Sequence, residues 1–156
     1  MEASHHPIED GITHLNVYSK GKTALGRFLS NFTLFPQDLP EGRFNSIEGY
    51  WYYLQAPDSP QREKLQTLHG FEAKKWGRSL ISLVKDLQTH HNVNFQTKIL
   101  MAIKDKILSG PLLDEFKMSS LPFAHYYVMS GKVITTTNSN FILDFLTKLR
   151  KELQSA

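Results

Sequence analysis

Between Ile142 and Leu153 apolar side chains return every three or four positions, at Ile142, Phe145, Leu146, Leu149 and Leu153. That is the period of an amphipathic helix and not of a strand. A helix of this kind draws most of its stability from burying its stripe, so the chain must supply a core for it to pack on. Asn138 or Ser139 stands where an N-cap belongs. Asp144 lies near the start and Lys148, Arg150 and Lys151 toward the end, the charge order that complements a helix dipole.

The rest of the pattern points the same way. Asn94 is placed to cap a long helix in which Phe95, Ile99, Ala102, Ile103 and Ile107 recur at helical spacing. Lys98, Lys104, Asp105 and Lys106 make its charged side, and Gly110-Pro111 ends it. Ser46 opens a two-turn helix over residues 47–54 that stops before Pro57, with Ile47, Tyr50, Trp51 and Leu54 on one face. Ser59 with Pro60 opens another, backed by Leu65 and Leu68, and residues 71–78 begin a further turn or two. Residues 111–116 suit a short helix. The extended pieces are short. Leu15 and Val17 alternate with polar neighbours before a turn at residues 19–22, and residues 28–39 are extended but carry Pro36 close to Pro40, which excludes a long central strand. Glu41-Gly42 turns a hairpin into Arg43-Phe44-Asn45, and residues 125–128 and 133–136 flank Ser130-Gly131. The expectation is an α+β fold, predominantly helical, with short strands and a hairpin. No repeat or linker divides the chain, so a single domain over residues 13–156 is expected, behind a flexible leader at residues 1–12.

Composition removes several kinds of chemistry. Without cysteine there is no disulfide, no thiolate zinc site, no iron–sulfur ligation and no cysteine nucleophile. This fits a reducing compartment, and cytoplasm is the expected address. The start of the sequence lacks a signal-peptide pattern, and no stretch reaches the ~20 apolar residues of a membrane span, so no membrane partner is expected. Eighteen Lys and Arg against 15 Asp and Glu is a small, scattered excess, grouped only at Lys74, Lys75 and Arg78 and at Lys148, Arg150 and Lys151. It suits an anionic small ligand as well as a polymer. P-loop, GxGxxG, HExxH and GxSxG motifs are absent. His5-His6 and His90-His91 read as ordinary surface histidines, and neither metal nor cofactor is expected.

The more informative constellation is Arg27-Phe28-Leu29-Ser30-Asn31-Phe32 followed by Ser46-Ile47-Glu48-Gly49-Tyr50. Amide, hydroxyl and acid groups lie near aromatic rings. Asn31 can both donate to and accept from sugar hydroxyls, and Tyr50 or Trp51 offers a flat face for a base. The same residues also have purely structural uses: Glu48 at the third position of a capped helix strengthens its N-terminus, and Asn31 can bend a loop.

Ser30-Asn31-Phe32, Ser46-x-Glu48-x-Tyr50, Ala73-x-x-x-Gly77-Arg78, a Lys/Met-rich helix and a final helix with Asn140 and Leu149-Arg150 follow the order and spacing of the YbiA-like (NADAR) family, which this sequence resembles from about Tyr18 to Leu153. The resemblance implies an α+β fold and cleavage of N-glycosidic bonds, either in ribosylamino-pyrimidine intermediates of riboflavin synthesis or in ADP-ribose attached to guanine. The implied partner is a nucleotide-like or ADP-ribosylated small molecule. Glu48 matches the family's acidic position and takes the catalytic role. Arg27, Ser30, Asn31, Phe32, Tyr50, Gly77 and Arg78 become the substrate-binding set, with Asn31 on the ribose and Arg78, helped by Arg27, on a phosphate.

Two positions depart from the family. Gln55 stands where a lysine able to form a Schiff base is usual, so covalent catalysis of that kind would need Lys74 or Lys75 to reach the site. The stretch 125–131 lacks the family's Asp followed by Trp-Gly, which leaves Tyr126 or Tyr127 as the replacement stacking surface. Two further readings stay open: a binding module for ADP-ribose-like ligands without turnover, and a small nucleic-acid-associated or protein-interaction domain. Nucleic acid is not the favoured partner.

Overall fold

The computed structural model describes residues 5–82, 84 and 92–155. The elements run α+β in chain order: β1 (Leu15–Asn16), α1 (Ala24–Leu29), β2 (Gln37–Leu39), β3 (Gly42–Phe44), α2 (Ile47–Tyr53), α3 (Pro60–Glu63), α4 (Gly70–Ile81), α5 (Val93–Ser109), α6 (Leu113–Met118), β4 (Phe123–Ala124), β5 (Tyr126–Met129), β6 (Lys132–Thr135) and α7 (Asn140–Ser155). Among the described residues helix predominates, and the strands form three two-stranded sheets. No helix among the described residues is long and apolar enough to cross a membrane. The chain forms two compact units, one from residues 1–30 and 107–156 and one from residues 31–106.

In the first unit β1 and β4 pair in parallel, Leu15 against Phe123 and Asn16 against Ala124. Residues 14 to 17 are all buried, so the alternation expected at β1 is absent. The polar members of this run are kept inside by hydrogen bonds: Asn16 donates from Nδ2 to the Tyr126 carbonyl at 2.9 Å and accepts from the Tyr126 amide at 3.0 Å, its side chain acting as an extra strand residue. Such pairing removes the desolvation cost that would otherwise push a buried amide outward. The segment around Phe28, expected to be extended, begins instead as α1, because Thr23 caps it by accepting from the Gly26 amide at 2.9 Å. The β5–β6 hairpin forms as expected. Ser130 and Gly131 turn it with φ of 51° and 77°, the pair of positive values that matches the twist of two strands.

Helix α7 buries Ile142, Leu146 and Leu149 as its period demands. Arg150, read from sequence as one of the basic residues toward the helix end, is also buried, at 8% exposure. Its guanidinium donates to the Leu121 carbonyl at 2.8 Å and lies 4.3 Å from the centre of the Phe123 ring. The reason is helical phase, since Arg150 sits four positions after Leu146 on the apolar stripe. Arg150→Met is expected to lower stability by about 2 kcal/mol, because the replacement leaves the Leu121 carbonyl without its donor; urea unfolding measures it, and an unchanged midpoint would contradict the assignment.

In the second unit the hairpin β2–β3 pairs Gln37 with Phe44 and Leu39 with Gly42, as the Glu41-Gly42 turn predicts. The buried hydrophobic residues of this unit are Phe44, Ile47, Tyr50, Tyr52, Ala56, Leu65, Ala73, Phe95, Ile99, Ala102 and Ile103. Ser46 caps α2 by accepting from the Gly49 amide, and Ser59 caps α3 by accepting from the Arg62 amide. Helix α5 starts earlier than expected, because Asn92 rather than Asn94 accepts from the amides of Asn94 and Phe95, at 2.8 and 3.3 Å. Lys106, expected on the charged side of this helix, instead follows Ile99 and Ile103 in phase and is only 2% exposed; burial pulls its pKa down to about 7.

Candidate active site

The site lies in the second unit, where α2 packs on α4. Helix α2 carries Glu48 and, one turn later, Tyr52; α4 carries Lys74 and, one turn later, Arg78. Residues four apart share a helix face, so each helix presents a pair. The close approach is a consequence of small residues. A Cβ at Gly77 would lie 2.1 Å from Cγ of Tyr52; Gly49 serves a different contact, since a Cβ there would lie 2.3 Å from the Leu65 carbonyl oxygen in the turn before α4. Ala73, one turn before Gly77, is fully buried. The spacing Ala73-x-x-x-Gly77 is therefore the sequence signal for this contact.

Glu48 is half-buried as a residue, but burial of its carboxyl outweighs every other influence and raises its pKa to about 7. Lys74 and Arg78 pull in the opposite direction by favouring the carboxylate. Without those cations the acid would stay neutral further into the alkaline range; with them it is poised near neutrality. Tyr52 is buried, and its hydroxyl is pushed up first by burial and then by the Glu48 charge, while Arg78 lowers it both as a cation and as a hydrogen-bond donor. Asn31 joins through the backbone: its carbonyl accepts from the Glu48 amide at 2.9 Å. This bond fixes the Ser-Asn-Phe segment against the first turn of α2. The Phe32 carbonyl likewise accepts from the Gly70 amide at 3.0 Å, which ties the segment to the start of α4.

Among the residues expected from sequence, Asn31, Phe32, Glu48, Gly77 and Arg78 thus converge on the α2–α4 contact, and Lys74 joins them. The choice between Lys74 and Lys75 is decided by helix phase: Lys74 is half-buried and interacts with Glu48, whereas Lys75 is exposed. Tyr50 does not offer a stacking face. It is 1% exposed, its ring meets Phe44 edge-on at 4.9 Å, and its hydroxyl donates to Glu41 at 2.7 Å. Glu41 is also paired with Lys98, and these two bonds hold its pKa down although burial alone would raise it. Trp51 meets Phe95 edge-on at 4.8 Å. Gln55 donates to the Trp51 carbonyl at 3.0 Å, a bond within its own helix end.

The other expected residues belong to the first unit. Arg27 donates to the Gly21 carbonyl at 2.8 Å, and Ser30 is buried at the end of α1. Tyr126 is buried at 2% exposure with its hydroxyl 2.5 Å from Nε2 of His14, so it is a core residue rather than a stacking surface. Tyr127 is half-buried on β5, and Asn140 is exposed at the start of α7. No group of three or more acidic or histidine side chains suited to a metal occurs among the described residues; His90 and His91 lie outside them. The one residue that sequence reasoning passes over is Tyr52. Its signal is the four-residue spacing from Glu48.

No protein-family model matches the chain, and no curated protein matches it in sequence. Among solved structures, the NMR structure of the E. coli protein YbiA superposes with a TM-score of 0.63 at 18% sequence identity, over 91% of this chain and 89% of that one. The protein therefore has a YbiA-like α+β fold. At that identity the likeness is one of fold.

Proposed function

We propose that this protein is a hydrolase that cleaves an N-glycosidic bond in a phosphorylated nucleoside-like or ADP-ribosylated base substrate. The observation that carries the reading is Glu48, a desolvated carboxyl with a pKa of about 7, set between the Asn31 segment and the cations Lys74 and Arg78. As the C1′–N bond lengthens, positive charge develops on the sugar, and a carboxylate close to C1′ stabilises it and orients water for attack. An acid titrating near the working pH also takes and returns protons efficiently. Arg78 and Lys74 supply cations for a phosphate, and Asn31 supplies an amide for ribose hydroxyls. Gln55 is an amide hydrogen-bonded to its own helix and supplies no nucleophile, and water is the final acceptor in this scheme.

A ribosylamino-pyrimidine phosphate and an ADP-ribosylated guanosine are the substrates to test, with release of free base as the readout. Release by the wild type that falls about 10²-fold or more in Glu48→Gln supports the assignment; equal release by both removes Glu48 from the mechanism. Calorimetric binding of ADP-ribose with no base release would favour the binding module instead. The nucleic-acid reading loses one of its supports, since Arg150 faces the interior and not a ligand.

A further inference from the structure

We infer that Phe71 is the residue that selects for a flat ring in the substrate: its face stacks on the heterocycle of the ribosyl substrate while Lys74 and Arg78 take the phosphate. The inference deepens the hydrolase reading and rests on it. Phe71 alone among the Phe, Tyr and Trp residues described is exposed, at 65%, and it makes no ring contact with another described residue. It therefore forgoes the burial that every other aromatic side chain gains at least in part. Its place relative to the site is fixed twice. Around α4, Lys74 and Arg78 follow it at three and seven positions and lie within about 60° of it, whereas Ala73 and Gly77, on the packed face, point about 120° or more away. Helical side chains lean toward the N-terminus of their helix, so both cations lean toward the Phe71 ring. Across the unit, consecutive carbonyls hold the two helix starts together: that of Asn31 accepts from the Glu48 amide at 2.9 Å, and that of Phe32 accepts from the amide of Gly70, the residue before Phe71, at 3.0 Å. Neighbouring Cα atoms are about 3.8 Å apart, so the acid and the exposed ring start from opposite ends of one short link.

A ribosylated heterocycle has a flat ring, a sugar and an anionic phosphate. This stretch offers Phe71 for the first, the Asn31 amide for the second and two cations for the third. The rings that the sequence suggested for stacking are engaged elsewhere: Tyr50 and Tyr126 are buried, and Trp51 meets Phe95 edge-on. A phenyl face holds any flat heterocycle without reading the groups on its edge. It keeps the leaving ring aligned as the C1′–N bond opens, and the selection it exerts is for the presence of a ring.

The test measures binding by calorimetry to the whole protein carrying Glu48→Gln, so that the glycosidic bond survives the titration. The probes are a ribosylamino-pyrimidine 5′-phosphate and ribose 5-phosphate, which lacks the ring. Phe71→Ala and Phe71→Tyr are compared with their parent, and an unchanged melting temperature confirms that this exposed position is not needed for folding. Phe71→Ala is expected to bind the pyrimidine probe about 10-fold more weakly or worse, with Phe71→Tyr near the parent because the ring is kept, and with ribose 5-phosphate unaffected by either change. Equal loss of both probes, undiminished affinity in Phe71→Ala, failure of tyrosine to restore it, or no binding of the pyrimidine probe by the parent would each overturn the assignment. The hydrolase reading fails separately. Ring-selective loss in a protein whose wild type releases no base sinks that reading and leaves this one standing, whereas base release by the wild type with an unchanged KM in Phe71→Ala does the reverse.

Discussion

Glu48→Gln is expected to make the protein more stable at pH 8 while abolishing base release. The folded protein holds the Glu48 carboxyl at a pKa of about 7 against an ordinary value of 4.5. A tenfold change in proton affinity corresponds to about 1.4 kcal/mol, so keeping the group ionised costs the fold about 3 kcal/mol above neutral pH. The sign follows from proton binding. Between pH 4.5 and about 7 the folded state retains a proton that the unfolded chain has released. The stability contributed by that proton is full below the unfolded value and is lost as pH rises through the folded one. Glutamine carries no charge at any pH. The variant should therefore melt several degrees above wild type at pH 8, at roughly 2–4 °C per kcal/mol for a chain of this size, with the gap closing toward pH 4.5.

Comparing the two proteins at each pH separates Glu48 from other titrations. His14 has the opposite sign, since burial and the neighbouring His5 lower its pKa and its contribution is lost as pH falls below its ordinary value. That loss is common to both proteins and cancels in the difference. A melting gap that stays constant from about pH 5 to about pH 8.5 would show that Glu48 is not desolvated. A stabilising substitution that destroys activity is the pattern expected where a fold carries a group for its chemistry rather than for its packing.

Gly49→Ala is the second large effect, and its direction is set by geometry against propensity. In an exposed helix interior, alanine would stabilise α2 by about 1 kcal/mol relative to glycine. Here the new Cβ would lie 2.3 Å from a backbone carbonyl oxygen, that of Leu65, and 3.4 Å from that of Leu68. A carbonyl cannot rotate away as a side-chain tip can, so the turn at Leu65 or the helix itself must move. Overpacking of this kind costs about 3 kcal/mol, which exceeds the gain. The expected net loss is about 2 kcal/mol in chemical denaturation, together with loss of base release, since displacing α2 moves Glu48. An alanine variant as stable as wild type would mean that the turn is looser than its contacts indicate.

Both effects originate in residues that sit side by side in the Ser46–Tyr50 motif, and they illustrate how unevenly the molecule can be read from its chain. Ser46 announces α2 because a hydroxyl before an apolar run has a local partner, the Gly49 amide. The same holds for Ser59-Pro60 and for the Ser130-Gly131 turn, whose requirements are satisfied within a few residues. Helix α1 is hidden because it is only six residues long, so the spacing of Ala24, Leu25, Phe28 and Leu29 covers little more than one turn and the Thr23 cap is its clearest local signal. The inward positions of Lys106 and Arg150 follow helix phase, but charge points outward and phase inward. Only the hydrogen bonds and ring contact that Arg150 finds on the rest of its unit settle that contest.

For the candidate site the division is similar. By itself the sequence determined the class of fold, the capped helices, the acid at Glu48 and the small residues at Ala73 and Gly77, because these depend on local hydrogen bonds and on the period of the apolar residues. Tertiary structure alone decided that Lys74 and not Lys75 lies on the Glu48 side, that Tyr50 is committed to the core and that Tyr52 packs against Gly77. Each of these depends on which helix face meets which across a gap of a few ångströms. A shift of one residue in helix phase turns a side chain by about 100°, enough to exchange a site residue for a solvated one.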